Sequence, residues 1–215
     1  MSDTRQLKRE DIKGIMRVEE NSFIPPIRTT KENILRRLGL GHVYLGVTNN
    51  AGEIVGTLAM RYAKFSPHDG YDKFPKTFKE YAEHSNEKDA NATFVYSLGV
   101  LPEYRRGFYA KKLLQSAKIW AKKNGMNYMV GDSRCPSYAG SNNFPQEHFN
   151  FKPVVRNAID ISSFRGAGST DNLKKDPVLG FYIKTMGAKT LWVIPNFFPQ
   201  DIPCGGFMVI QYIEL

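Results

Sequence analysis

Tyr96-Ser97-Leu98-Gly99-Val100-Leu101-Pro102-Glu103-Tyr104-Arg105-Arg106-Gly107-Phe108-Tyr109-Ala110-Lys111-Lys112-Leu113-Leu114 reads as a buried strand that turns directly into an amphipathic helix. Thr93, Phe94, Val95 and Tyr96 are β-formers, and Pro102 ends the ladder because it has no N–H to donate. Ala110, Leu113, Leu114, Ala117 and Trp120 then recur at helical spacing, while Lys111, Lys112, Lys118, Lys122 and Lys123 fall largely off that stripe. The first amides of a helix have no partner within it and carry partial positive charge. Arg105, Arg106 and Gly107 put further charge and a flexible backbone at that point, so the turn suits a cluster of anionic oxygens such as a pyrophosphate.

A second stretch, Asp176-Pro177-Val178-Leu179-Gly180-Phe181-Tyr182-Ile183-Lys184-Thr185-Met186-Gly187-Ala188, reads as a short helix with Asp176 as N-cap, Pro177 at the first helical position and Gly187 as C-cap. Together the two stretches resemble the GNAT N-acetyltransferase superfamily. Its signature is a hydrophobic strand, Val-x-Pro, and then Arg/Gln-x-x-Gly-x-Gly/Ala opening a helix. Val100-x-Pro102, Arg105 and Ala110 match, whereas Phe108 stands where the family has its central glycine. The helix at 176–188 resembles the family's penultimate helix, with Ala188 in place of its last aromatic residue.

Length and composition fit a single folded domain over residues 1–215. The chain has 41% hydrophobic and 24% charged residues, enough apolar side chain for a sizeable core. No apolar run approaches the roughly 20 residues that cross a bilayer, and the first nine residues are polar, so the expectation is a cytoplasmic protein with no membrane contact. Two cysteines, Cys135 and Cys204, lack the spacing of a zinc site or the number of a disulfide scaffold, so no metal is expected. The net charge of +9 is interleaved with acidic residues and forms no continuous basic helix face, which argues against nucleic acid.

Along the chain, Asp11 to Ser22 and Thr30 to Leu38 carry helical patterns, and Val43 to Thr48 with Ile54 to Tyr62 alternate around Asn49-Asn50-Ala51-Gly52 as a hairpin. Phe94 to Leu101 extends the sheet, and Met126 to Gly131 forms a strand parallel to it through a βαβ crossover. Lys189 to Ile194 and Phe207 to Ile213 close the sheet as an antiparallel pair. Two insertions, at about 64–92 and 133–175, exceed ordinary connections and read as substrate-binding lids. Phe74, Phe78 and Tyr81 share a face in the first; Phe144, Phe149, Phe151 and Phe164 give the second something to pack.

The resemblance implies an α/β fold with a central mixed, mostly antiparallel sheet, a parallel splayed strand pair and flanking helices. It also implies an N-acetyltransferase that moves acetyl from acetyl-CoA to a primary amine of a small molecule, amino acid or peptide. Alternatives are a longer acyl donor or a non-catalytic acyl-CoA-binding module; a homodimer is left open. The cofactor would lie against the backbone of Leu98, Gly99 and Val100 and on the turn of Arg105, Arg106, Gly107, Phe108, Tyr109 and Ala110, read through amides that tolerate Phe108. Tyr182 would be the general acid for the departing thiolate, with a core tyrosine as the other reading. Asp132 would be the base or, equally, a loop cap for Ser133 and Arg134; His148 and Glu147 are alternatives, and Cys135 lacks a neighbouring His to make it a nucleophile.

Overall fold

The computed structural model describes residues 3–134, 176–194, 196–201, 204, 206 and 208–215. In chain order the elements are β1 (Thr4–Leu7), α1 (Ile12–Ser22), α2 (Lys31–Gly39), β2 (Val43–Thr48), β3 (Ile54–Ala63), α3 (Phe78–Ala82), β4 (Ala92–Val100), α4 (Tyr109–Lys123), β5 (Tyr128–Arg134), α5 (Pro177–Met186), β6 (Lys189–Ile194) and β7 (Met208–Glu214). The seven strands are ordered β1-β2-β3-β4-β5-β7-β6; β1–β2, β2–β3, β3–β4 and β6–β7 pair antiparallel, and β4 and β5 form a parallel pair. The chain is thus an α/β protein built on one mixed sheet, with two compact units: Met1–Phe65 with Ala82–Met129 and Leu215, and Ser66–Tyr81 with Val130–Glu214.

In the first unit, the hairpin β2–β3 closes as its loop composition predicts. Asn49 Oδ1 accepts from Ala51 N and Glu53 N, both at 3.0 Å, so one side chain fixes the turn. Neighbouring residues of a strand face opposite ways, and Gly56 of β3 faces Leu113 of α4, while Thr57 pairs with Gly99, which faces Val18 and Ser22 of α1. The two helices therefore cover opposite faces of the same strands. Their apolar stripes, Ile15 and Val18 on α1 and Leu113, Leu114, Ala117 and Ala121 on α4, are buried as the helical spacing requires. Thr30 caps α2 through Asn33 N.

Strand β1 has no counterpart in the sequence reading. Thr-Arg-Gln-Leu carries one strong apolar residue, so alternation could not reveal it; it forms because the β2 edge offers backbone partners and Leu7 is buried there beside the Gly46 backbone.

In the second unit, Asp176 accepts from Val178 N at 2.8 Å and Leu179 N at 2.9 Å, Pro177 opens α5, and Gly187 closes it in the left-handed conformation at φ +67°. Phe74 and Tyr81 are buried, Phe74 lies 5.0 Å from Trp192 ring to ring, and Tyr81 packs edge-on against Phe197. Phe74 and Tyr81 of the first insertion are therefore core, while Phe78 is half-buried and stacks on Phe198 at 4.6 Å. β5 also runs beyond the expected end at Gly131 to Arg134, because its polar residues are matched: Ser133 Oγ donates to Gln211 Oε1 at 2.9 Å, and the Arg134 guanidinium pairs with both oxygens of Asp201 at 2.6 Å. Phe144, Phe149, Phe151, Phe164, His148, Glu147 and Cys135 lie outside the described residues.

The caps of α5 give a direct stability test. Asp176→Ala should cost about 1 to 2 kcal/mol, Asp176→Asn much less, and Gly187→Ala about 1 kcal/mol, since a β-carbon is disfavoured at positive φ. Urea denaturation midpoints at constant m-value measure all three.

Candidate active site

The strand-to-helix turn is built from the end of β4 outward. Gly99 lets α1 approach: a Cβ there would lie 2.9 Å from Ser22 Oγ and 3.1 Å from Val18 Cγ1. Leu98, Gly99 and Val100 pair with Leu58, Thr57 and Gly56 of β3, so their backbone is held on that side. The Val100 carbonyl accepts from Ser22 Oγ at 3.3 Å and from Arg105 Nε at 3.1 Å, and Arg105 Nη2 reaches Asn21 O at 3.2 Å. The Arg105 guanidinium, read from the sequence as charge for a phosphate, is thus used as a strut between β4, α1 and the turn.

The chain does not enter α4 directly. A single 3-10 turn, Pro102–Tyr104, intervenes, and Arg106 then takes the left-handed conformation at φ +65°. Helix α4 starts at Tyr109, with Phe108 at the cap position and no side chain capping it. Among the described residues, the amides of Arg106, Gly107, Phe108, Tyr109, Ala110 and Lys111 have no hydrogen-bond acceptor; the first bonded amide is Lys112 N, at 2.8 Å from Phe108 O. A run of unpaired N–H groups that begins at a left-handed residue is the kind of backbone arrangement that can receive an anion. Arg106 is exposed and its side chain has no ion-pair partner among the described residues. Phe108 is 56% exposed and stacks on Tyr109 at 4.6 Å; Tyr109 meets Tyr104 edge-on, and the Tyr104 hydroxyl accepts from Asn49 Nδ2.

In the second unit the structure brings the two candidate catalytic residues together. Tyr182, on α5, is half-buried. Burial pushes its phenol well above the ordinary value of 10.0, and the negative charge of Asp132 adds to the shift. Among the described residues the phenol has no hydrogen-bond partner. Asp132 sits within β5, so it is not a loop cap: the two residues it was to cap, Ser133 and Arg134, belong to the strand and are held by Gln211 and Asp201. The fully buried Asp201 was not legible in the sequence, since 67 positions separate it from Arg134. No cluster of three or more potential metal ligands occurs among the described residues.

The family model described as "Acetyltransferase (GNAT) family" matches residues 13–139. The chain belongs to the GNAT family. No curated protein is similar to it in sequence. Among solved structures it is similar to the GphF GNAT-like decarboxylase in complex with isobutyryl-CoA, at 22% identity and TM-score 0.75, covering 99% of this chain and 98% of that one. It is similar to the loading GNATL domain of CurA from Lyngbya majuscula at 17% identity and TM-score 0.74, covering 100% and 98%. The PaiA N-acetyltransferase from Thermoplasma acidophilum in complex with coenzyme A matches at 14% identity and TM-score 0.52, covering 100% and 99%. At these identities the shared property is the GNAT fold, and with the family membership it makes the chain an acyltransferase.

The Tyr182 shift has a sign that can be checked. Because the folded state favours the neutral phenol, the stability Tyr182 confers is complete below about pH 10 and falls as the pH rises beyond it. Asp132→Asn removes a negative charge that opposes ionisation, so the phenol should ionise at lower pH than in the wild type, yet still above the ordinary range because burial is the larger cause. Ultraviolet titration against Tyr182→Phe isolates the signal.

Proposed function

We propose that the chain is a single N-acyltransferase domain that moves an acyl group, acetyl in the first instance, from its CoA thioester to a primary amine of a small molecule, amino acid or peptide. The observation that carries this reading is the run of unpaired amides at 106–111, with Arg106 beside it, which fits the pyrophosphate of a coenzyme A. Leu98, Gly99 and Val100 would hold the pantetheine arm by backbone groups, and Arg105 would shape the turn. In the transfer, the amine nitrogen bonds to the carbonyl carbon, negative charge grows on the carbonyl oxygen, the C–S bond breaks and the thiolate leaves.

Asp132 would accept the proton that the amine gives up, and Tyr182 would donate to the thiolate. A phenol well above 10 is a poor acid toward a thiolate whose own thiol titrates near 8.5, roughly. The pair narrows this gap, of which burial is the larger part. A cationic amine near Asp132 offsets the carboxylate's charge and lowers the phenol, so Tyr182 becomes the better donor when the acceptor is in place. Asp132 also weighs against an acyl group that carries its own carboxylate, through like-charge repulsion.

A second reading, thioester chemistry on a donor other than acetyl, is favoured by GphF, a GNAT-like decarboxylase whose complex holds isobutyryl-CoA. Acetyl-, isobutyryl- and malonyl-CoA compared in one assay for thiol and CO₂ release separate the two. Amine-dependent thiol release from acetyl-CoA supports the first; amine-independent CO₂ release from malonyl-CoA overturns it. A cytoplasmic location and small amine acceptors fit this reading.

Two variants test the residues. Tyr182→Phe should lower kcat about 10²-fold or more at little change in KM for the donor, the scale of a lost proton donor; unchanged turnover would leave Tyr182 as a core tyrosine. Arg106→Gly should weaken CoA binding by about 1.5 to 3 kcal/mol in isothermal titration, the range for hydrogen bonds to charged groups. It should also raise stability by about 1 kcal/mol or less, since glycine accepts positive φ without steric cost. Affinity and melting temperature should therefore move in opposite directions.

A further inference from the structure

Strand β4 contains an extra residue. It pairs with β3 as Ser97 to Ala59 and then Val95 to Met60, which leaves Tyr96 without an opposite number. Such a bulge bends its strand and re-aims the groups that follow, and those groups are the backbone of Ser97 to Val100. A lone bulge is soft. This one is held by its side chain, which is buried rather than exposed as a bulged residue's can be.

The hold consists of polar groups that the proposed chemistry does not use. Tyr96 Oη lies 2.8 Å from His42 Nδ1, and His42 Nε2 lies 2.7 Å from the carbonyl oxygen of His84. A carbonyl only accepts, so Nε2 carries the hydrogen. In the neutral ring Nδ1 is then bare and accepts the tyrosine O–H. Burial is the main reason the ring stays neutral: it pushes His42 down to about 4, with Arg37, Arg61 and Arg36 acting in the same direction against the His84 carbonyl. The Arg37 guanidinium sits 5.0 Å over the Tyr96 ring and donates to Glu83 Oε1 at 2.6 Å; Arg36 also pairs with Glu83. Tyr44 meets the ring edge-on from β2. Tyr96 is thereby gripped at its hydroxyl, one face and an edge by residues from α2, β2 and the segment after α2.

Burying a histidine and an arginine beside a sheet is costly unless their bonds are made. An apolar residue at 42 and a phenylalanine at 96 would fill the same space without any polar bond. The polar pair adds direction, since a hydrogen bond fixes where the tyrosine tip lies as packing alone does not.

We infer that His42 is a positioning residue for acyl transfer: through the Tyr96 hydroxyl it fixes the bulge in β4 and so aims the backbone groups of Ser97 to Val100 at the thioester. The inference rests on the acyl-transfer reading above for its kinetic consequence and on the bulge alone for its structural one.

The test uses Tyr96→Phe, His42→Leu, the double variant and His42→Asn, whose side-chain oxygen can replace Nδ1 as acceptor. Amide hydrogen exchange of Ser97 to Val100 and steady-state kinetics with acetyl-CoA are both read. Tyr96→Phe and His42→Leu should each speed exchange at those amides and lower kcat between about tenfold and a hundredfold, the scale of a misaligned reacting group, with KM for the donor changed less than about twofold. The double variant should be no worse than the worse single, and His42→Asn should recover most of the loss. Tyr96→Phe removes one oxygen atom, so it reports even where His42→Leu does not fold. Exchange and kcat unchanged in a folded Tyr96→Phe protein overturn the inference, as does additive loss in the double variant. If the wild type transfers no acyl group, the functional reading falls by itself, and exchange at Ser97 to Val100 still decides whether His42 and Tyr96 hold the bulge.

Discussion

The carbonyl of Val100 is the point on which the first unit's geometry turns. It is the last acceptor of β4, and it is bonded both to Ser22 at the end of α1 and to Arg105 in the turn. Those two bonds decide where the chain goes after it leaves the sheet. Without them, a glycine two residues before Leu101 and a proline after it would leave the exit direction loose. With them, the run of unpaired amides at 106–111 follows directly on the strand, and a conformation disfavoured for arginine is maintained at Arg106. The stability that Arg106 gives up locally is offset by the strut beside it, which is the usual relation between strain at a binding turn and its surroundings.

What could be read from the sequence was what is decided locally. The hairpin loop, the Asp176 and Gly187 caps and the stripe of α4 each depend on residues within one turn or one loop, and all formed where the residues placed them. What could not be read depends on partners far along the chain. Nothing in Thr4–Leu7 announces a strand, and nothing in Asp-Ser-Arg at 132–134 announces that β5 continues, because Gln211 and Asp201 supply the complement. The same holds for the candidate site. Its residue types were legible from motif and resemblance, but the commitment of Arg105 to carbonyls, and the charge that Asp132 brings to the Tyr182 phenol, are properties of the fold.

The candidate groups divide by protonation. Tyr182 is kept neutral far into alkaline pH by burial and by a neighbouring anion, while His42 is kept neutral far into acid by burial among arginines. Two ionisable side chains are thus removed from titration in the range where an amine and a thiol exchange protons. The tyrosine retains a proton it can donate; the histidine retains a lone pair that can accept. In the roles proposed for them, each would serve because its state does not vary with the pH around it.

This division accounts for the buried charge of the first unit. Arg37 and Arg61 are nearly inaccessible, and Arg61 lies 5.1 Å over the Phe94 ring much as Arg37 lies over Tyr96. Two guanidinium groups stacked on aromatic rings one residue to either side of Val95 make β4 rigid from its neighbours, and the same positive charge disfavours a proton on His42. The arginines therefore do two things with one placement: they pack the strand, and they help to keep neutral the ring whose tautomer the His84 carbonyl sets and on which the Tyr96 bond depends. A change that removed the charge but kept the packing would separate the two effects, since the strand would remain ordered while His42 regained a proton at a less acidic pH and lost its acceptor.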